Sequence, residues 1–97
     1  MKTQFYILLS MKTKQGYFTY GQYMLGDDRQ PAYELFDSLT GNGDLNLPLH
    51  IDLMETVDEL PVKTKTICCT LEELANNTKV ITREIFRLKN LEDLYNG

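Results

Sequence analysis

Phe5, Ile7, Leu9 and Met11 alternate with Gln4, Tyr6, Leu8 and Ser10. That period of two, in aromatic and branched residues, predicts a strand over Phe5–Met11. Lys12–Gly16 is a polar stretch of hairpin length. Tyr17–Leu25, rich in Tyr, Phe and Thr, predicts a second strand, and Gly21 in its middle predicts a bulge or bend. The pattern then breaks at Gly26-Asp27-Asp28. An aspartate there accepts from the free amides of a helix start, and Pro31 suits an early helical position. Ala32, Leu35, Phe36 and Leu39 follow at helical spacing over Pro31–Leu39, and Gly41 and Gly43 are expected to end that helix.

The same order then recurs. Leu47, Leu49, Ile51 and Leu53 alternate with polar residues and predict a strand over Leu47–Glu55. After a turn at Val57–Pro61, Val62–Cys69 predicts another, with Lys63 and Lys65 expected on one face. Thr70 and Glu73 form a capping box ahead of a helix from Leu71. Leu74, Thr78, Ile81, Ile85 and Leu88 keep one helical phase, which predicts a single helix over Leu71–Leu88. Asn76-Asn77-Thr78 and the β-branched run after it weaken that helix, and Leu91–Tyr95 adds a further turn or two. Asp27 and Thr70 stand forty-three residues apart, as do Met11 and Met54. Identities at that offset are no more than chance, so the repeat is one of architecture.

Two strand–strand–helix units predict an α+β fold, ββαββα, as a single domain over residues 1–97. The expected form is a four-stranded antiparallel sheet with both helices on one face. A right-handed crossover leaving room for the fourth strand gives the order 1-2-4-3, a permuted ferredoxin-like arrangement. Such a fold licenses no activity by itself.

The two sheet faces differ in what they imply. Two helices cover one face. Tyr6, Leu8, Tyr17 and Tyr23 are expected on the other, where a large apolar patch marks an interface. Those four residues are the candidate partner interface, for a homodimer or a protein partner. The competing cover is the tail after Leu91, with Leu94 and Tyr95. A small apolar ligand on the same face is a third use.

Composition narrows the chemistry. The chain has 97 residues, 42% of them hydrophobic and 25% charged, enough to fold around a modest core without disulfides or metal. The net charge of −4 argues against a surface built throughout for nucleic acid. The short apolar run at the N-terminus lacks a cleavage site, and no segment has transmembrane length, so the expected setting is cytoplasmic with no membrane contact. Asn76-Asn77-Thr78 matches a glycosylation acceptor that only secretion would make relevant. Cys68 and Cys69 are adjacent and point to opposite faces of a strand, unsuited to bonding each other. Two cysteines and one histidine are too few for a structural zinc site, and no cofactor is expected.

Among catalytic candidates, His50 and Asp52 share a strand face, the spacing by which a carboxylate orients an imidazole for acid–base work. No nucleophile or oxyanion pattern accompanies them, and a solvated His–Asp pair is the commoner outcome; the chain is not expected to be an enzyme. Gly41-Asn42-Gly43 lacks the Lys-Ser/Thr of a phosphate loop. Asn42, Asp44 and Asn46 begin like a calcium loop, but Leu47 and Leu53 occupy its glycine and glutamate positions.

The alternative function is a DNA-binding regulator. Residues 71–88 resemble a helix-turn-helix, with Ala75 at the crossing, Val80 and Ile85 inside, and Thr82, Arg83 and Arg87 exposed to meet nucleic acid. Asn76–Asn90 carries a local charge of +3. Against it, Lys79 stands where the turn prefers glycine, and a third supporting helix is missing.

Overall fold

The computed structural model describes residues 3–96, with side chains through residue 90. Its elements run β1 (Gln4–Thr13), β2 (Gly16–Gly26), α1 (Arg29–Asp37), β3 (Leu49–Val57), β4 (Leu60–Cys69) and α2 (Leu71–Asn96). The ββαββα order, the antiparallel four-stranded sheet and the two helices agree with the sequence pattern.

The strand order differs. It is β2-β1-β3-β4, with β1 and β3 paired antiparallel at the centre, not the expected 1-2-4-3. The permuted ferredoxin-like arrangement requires that other order. Burial gives the reason. β1 and β3 bring Ile7, Leu9, Ile51 and Leu53, all at most 3% exposed, and each contributes about 2 kcal/mol by leaving water. β4 carries Pro61, which has no amide to give a central ladder, and two lysines whose charges need water. Hence β4 takes an edge, and so does β2, most of whose side chains are exposed.

Both hairpins turn on residues of positive φ. Gly16 closes the first at +111°, and Asp58 and Glu59 close the second at 53° and 71°, the left-handed pair of a tight hairpin turn. Both hairpins also carry extra residues, two in the first and one in the second: Phe5 faces Gly26 but Tyr6 faces Met24, so Leu25 bulges from β2. Leu9 faces Gly21 but Ser10 faces Thr19, so Tyr20 bulges from β2. Leu53 faces Lys65 but Met54 faces Lys63, so Thr64 bulges from β4. A bulge shifts the alternation of every residue beyond it.

Asp28 caps α1 by accepting from the Gln30 amide at 3.3 Å. The helix ends at Asp37 with Ser38 as its cap, earlier than the glycines suggested. Thr70 and Glu73 form the reciprocal capping box of α2 at 3.2 and 2.9 Å. α2 then continues as one helix through Asn76–Lys79. The weak spot is a tertiary clamp: Asn77 is fully buried and bonds both backbone groups of Thr40. Phe5, Ile7, Leu9, Ile51 and Leu53 meet Ala32, Leu35 and Phe36 of α1 and Ile81 of α2 in one core on the helix side.

Candidate functional site

The face of the sheet opposite that core is the open face. Register assigns it Tyr6, Leu8 and Ser10 from β1, Tyr17, Thr19, Gln22 and Met24 from β2, His50, Asp52 and Met54 from β3, and Lys63 and Thr66 from β4. The Tyr20 bulge reverses the phase of β2. Tyr17 therefore shares the open face with Met24, while Tyr23 pairs with Ile7 and packs against the core. Tyr23, expected on the open face with Tyr17, thus lies on the other side of the sheet. The Thr64 bulge does the same to the lysines, expected on one face. Lys63 lies on the open face 3.7 Å from Asp52, whereas Lys65 lies on the helix side, 2.8 Å from Asp37 and over the Tyr33 ring. Tyr6 and Leu8 stand where the alternation predicts, half-buried.

A hollow of about 540 Å³ occupies this face. Its walls are apolar: Leu8, Met54, the Tyr17 ring and Leu45. Leu45 reaches it because the α1–β3 connection wraps around the outer edge of β4. Asn42 exchanges two backbone hydrogen bonds with Cys68, at 2.9 and 2.8 Å. Gly41 makes this approach possible, since a Cβ there would stand 2.8 Å from the Cys68 carbonyl oxygen. The wrap buries Cys68 completely. Sequence reasoning found Gly41 only as a helix terminator.

The floor of the hollow is polar. Asp52, only 6% exposed, accepts from the Thr66 hydroxyl at 2.6 Å and has Lys63 alongside. Ser10 and Thr19 share a hydrogen bond at 3.0 Å. His50 stacks at a tilt on Tyr17, with ring centroids 4.6 Å apart, and its Nε2 is buried without a hydrogen-bond partner. His50 and Asp52 do share a face, but the carboxylate is engaged by Thr66 and Lys63. The side chain holding the imidazole is an aromatic ring, which polarises no proton.

The two thiols are protonated groups. Burial pushes Cys68 up, with the carboxylates of Asp52 and Asp44 adding to it. Burial also raises Cys69, helped by Glu73 and Cys68 and opposed by a hydrogen bond from Asn77. Neither has the electropositive setting that makes a thiolate nucleophile. Among the described residues, no group of three or more His, Cys, Asp or Glu side chains is arranged to hold a metal ion, and no helix is long and apolar enough to cross a membrane.

The helix-turn-helix geometry does not form, because α2 has no turn at Lys79. Thr82, Arg83 and Arg87 are exposed on one unbroken helix. Glu84 pairs with Arg87 and stands 3.9 Å from Arg83, which offsets part of the local positive charge. Leu94 and Tyr95, the expected alternative cover of the open face, lie outside the residues whose side chains are described; the backbone there continues α2.

Comparison with protein-family models, curated proteins and solved structures found no match.

Proposed function

We propose that this chain is a non-enzymatic association module whose open sheet face is the contact surface. The observation that carries this reading is the hollow of about 540 Å³, with apolar walls and, at its floor, the buried Asp52 carboxylate and a half-buried imidazole whose Nε2 is out of contact with water. A sheet face that only met solvent would have no use for a buried Asp52. Taking a carboxylate out of water costs several kcal/mol in general, and its partners here are one hydroxyl, of Thr66 at 2.6 Å, and the Lys63 ammonium at 3.7 Å. Apolar rims around a few placed polar groups are the anatomy of a pocket that takes an anchor side chain from a partner. Leu8, Tyr17, Leu45 and Met54 supply the rim, and Tyr6 and Met24 lie beside it on the same sheet face. The occupant is a protein surface, a second copy or a different chain, and the setting that suits a −4 chain with two reduced thiols is the cytoplasm.

The partners of the two groups, Thr66 and Lys63 for Asp52 and the Tyr17 ring for His50, support a binding role over acid–base chemistry. Self-association is the accessible test. Light scattering on the intact protein should give a mass above one chain, and Leu8→Lys, which sets a charge in the rim, should lower it while far-UV circular dichroism stays unchanged. A mass that Leu8→Lys leaves alone removes the open face as the contact between copies.

A further inference from the structure

The two edges of the sheet are built differently. β4 is protected in several ways that keep strands from adding to an edge. It has Pro61 near its start, Lys63 and Lys65 along it, a bulge at Thr64, and Asn42 already paired to Cys68. β2 has eleven residues, Gly16–Gly26, with no charge and no proline. Tyr17, Phe18 and Met24 are 56%, 57% and 49% exposed on it, and Tyr20 is also exposed. Among the described residues, no strand lies beside its outer backbone amides and carbonyls.

We infer that β2 pairs antiparallel with β2 of a second copy about a two-fold axis between Tyr20 and Gly21, joining two sheets into one of eight strands. The register follows from the bulge. In a two-fold pair the residues facing each other must lie on the same sheet face. For a regular strand that fixes an axis through a residue. In β2 the Tyr20 bulge offsets the alternation by one, so an axis between Tyr20 and Gly21 satisfies the condition over residues 17–24, up to the second bulge at Leu25. Tyr17 then faces Met24 of the second copy, both on the open face. Phe18 faces Tyr23, both on the helix side, and Thr19 faces Gln22. The exposed rings of Tyr17 and Phe18 each meet an apolar or aromatic neighbour, a class of cross-strand pair that stabilises sheets.

The occupant is a second copy because the edge is self-complementary in this register and carries no like charges to repel. The blocked β4 edge stops growth at two copies, so the contact closes instead of propagating. Exposed aromatic rings and Met24 bring about 400 Å² per copy, roughly half of the ~800 Å² a side of a standard interface. The backbone edge over residues 17–24 and the Thr19 and Gln22 side chains add to that. This contact does not depend on the open-face reading. It rests on the β2 backbone and on Phe18 and Tyr23 of the helix side, with Tyr17 and Met24 meeting at the margin of the open face, and it leaves both hollows on one side of the joined sheet.

Disulfide trapping tests it. The Thr19→Cys, Gln22→Cys double variant places two thiols opposite each other across the axis, within the Cβ separation of paired strands. Under mild oxidation it should form a covalent dimer at least about tenfold faster than Thr19→Cys alone, whose thiols do not face each other. Adding Phe18→Lys should abolish the advantage, and adding Leu8→Lys should not change it. β2 amide exchange in the unaltered protein should slow as concentration rises, because pairing removes those amides from water. Equal trapping of the single and double variants, or β2 amides whose exchange ignores concentration, overturns the inference. Loss of the advantage with Leu8→Lys but not with Phe18→Lys moves the contact to the open face.

Discussion

The carboxamide of Asn77 and the backbone of Thr40 hold each other in both directions. Oδ1 accepts from the Thr40 amide at 2.7 Å and Nδ2 donates to its carbonyl at 2.8 Å. One side chain thereby satisfies both polar groups of a loop residue, fixes α2 to the end of the α1 connection, and sets where the chain starts its wrap around β4.

Asn77→Ala should therefore destabilise the protein despite improving the helix. Alanine gains roughly 0.5 kcal/mol of helix propensity. Two hydrogen bonds are lost, and Thr40 keeps two backbone groups with no partner, at about 1 kcal/mol or more each. The net expected loss is about 2 kcal/mol, read from urea unfolding at constant m-value. A variant as stable as the parent would show that water replaces the clamp without cost.

How the sequence announced these features depended on their range. The period-two and helical runs marked the six elements, and the Thr70–Glu73 box marked the start of α2, because those signals are local. Strand order was carried by Pro61 and the β4 lysines, which forbid a central position, whereas a right-handed crossover from the second strand to the third places β4 inside the sheet. The faces of Tyr23 and Lys65 were lost at the bulges. Gly21 hinted at one, and Thr64 gave no sign of the other. Tyr6, Leu8 and Tyr17 of the open face were legible. The hollow was not, since Leu45 reaches it only through the wrap that Gly41 permits. Asn77 read as a defect in a helix because its partner lies 37 residues away.

The thiols give a pH prediction. Folding raises both above the ordinary thiol value, so the folded chain holds these protons more tightly than the unfolded one. Their contribution to stability is complete below about pH 8.5, the unfolded value, and is lost as pH rises from there through the folded values. Denaturation midpoints should fall across that alkaline window, and Cys68→Ser with Cys69→Ser should flatten the fall. At pH 8 both thiols should react slowly with a disulfide reagent in the folded protein and rapidly in denaturant. A thiol that reacts in buffer like a free small-molecule thiol would contradict its burial.

Asp52 separates what the open face does for folding from what it does for binding. Its carboxylate is buried, bonded to Thr66, and 3.7 Å from a Lys63 side chain that is itself 60% exposed. Removing the carboxylate leaves no buried lysine behind, because Lys63 already reaches water. The Thr66 hydroxyl lies on an exposed residue and can turn to solvent. Asp52→Leu should therefore be neutral or stabilising, by about 1 kcal/mol, as replacement of buried ionic groups by apolar ones often is. The same substitution fills the floor of the hollow and removes its acceptor, so association through the open face should weaken. Greater stability with weaker association would mean that the carboxylate is kept for contact and not for the fold. A loss of more than about 2 kcal/mol, the size seen when a buried polar network is broken, would make Asp52 a strut of the sheet and take away the main support for the open-face reading.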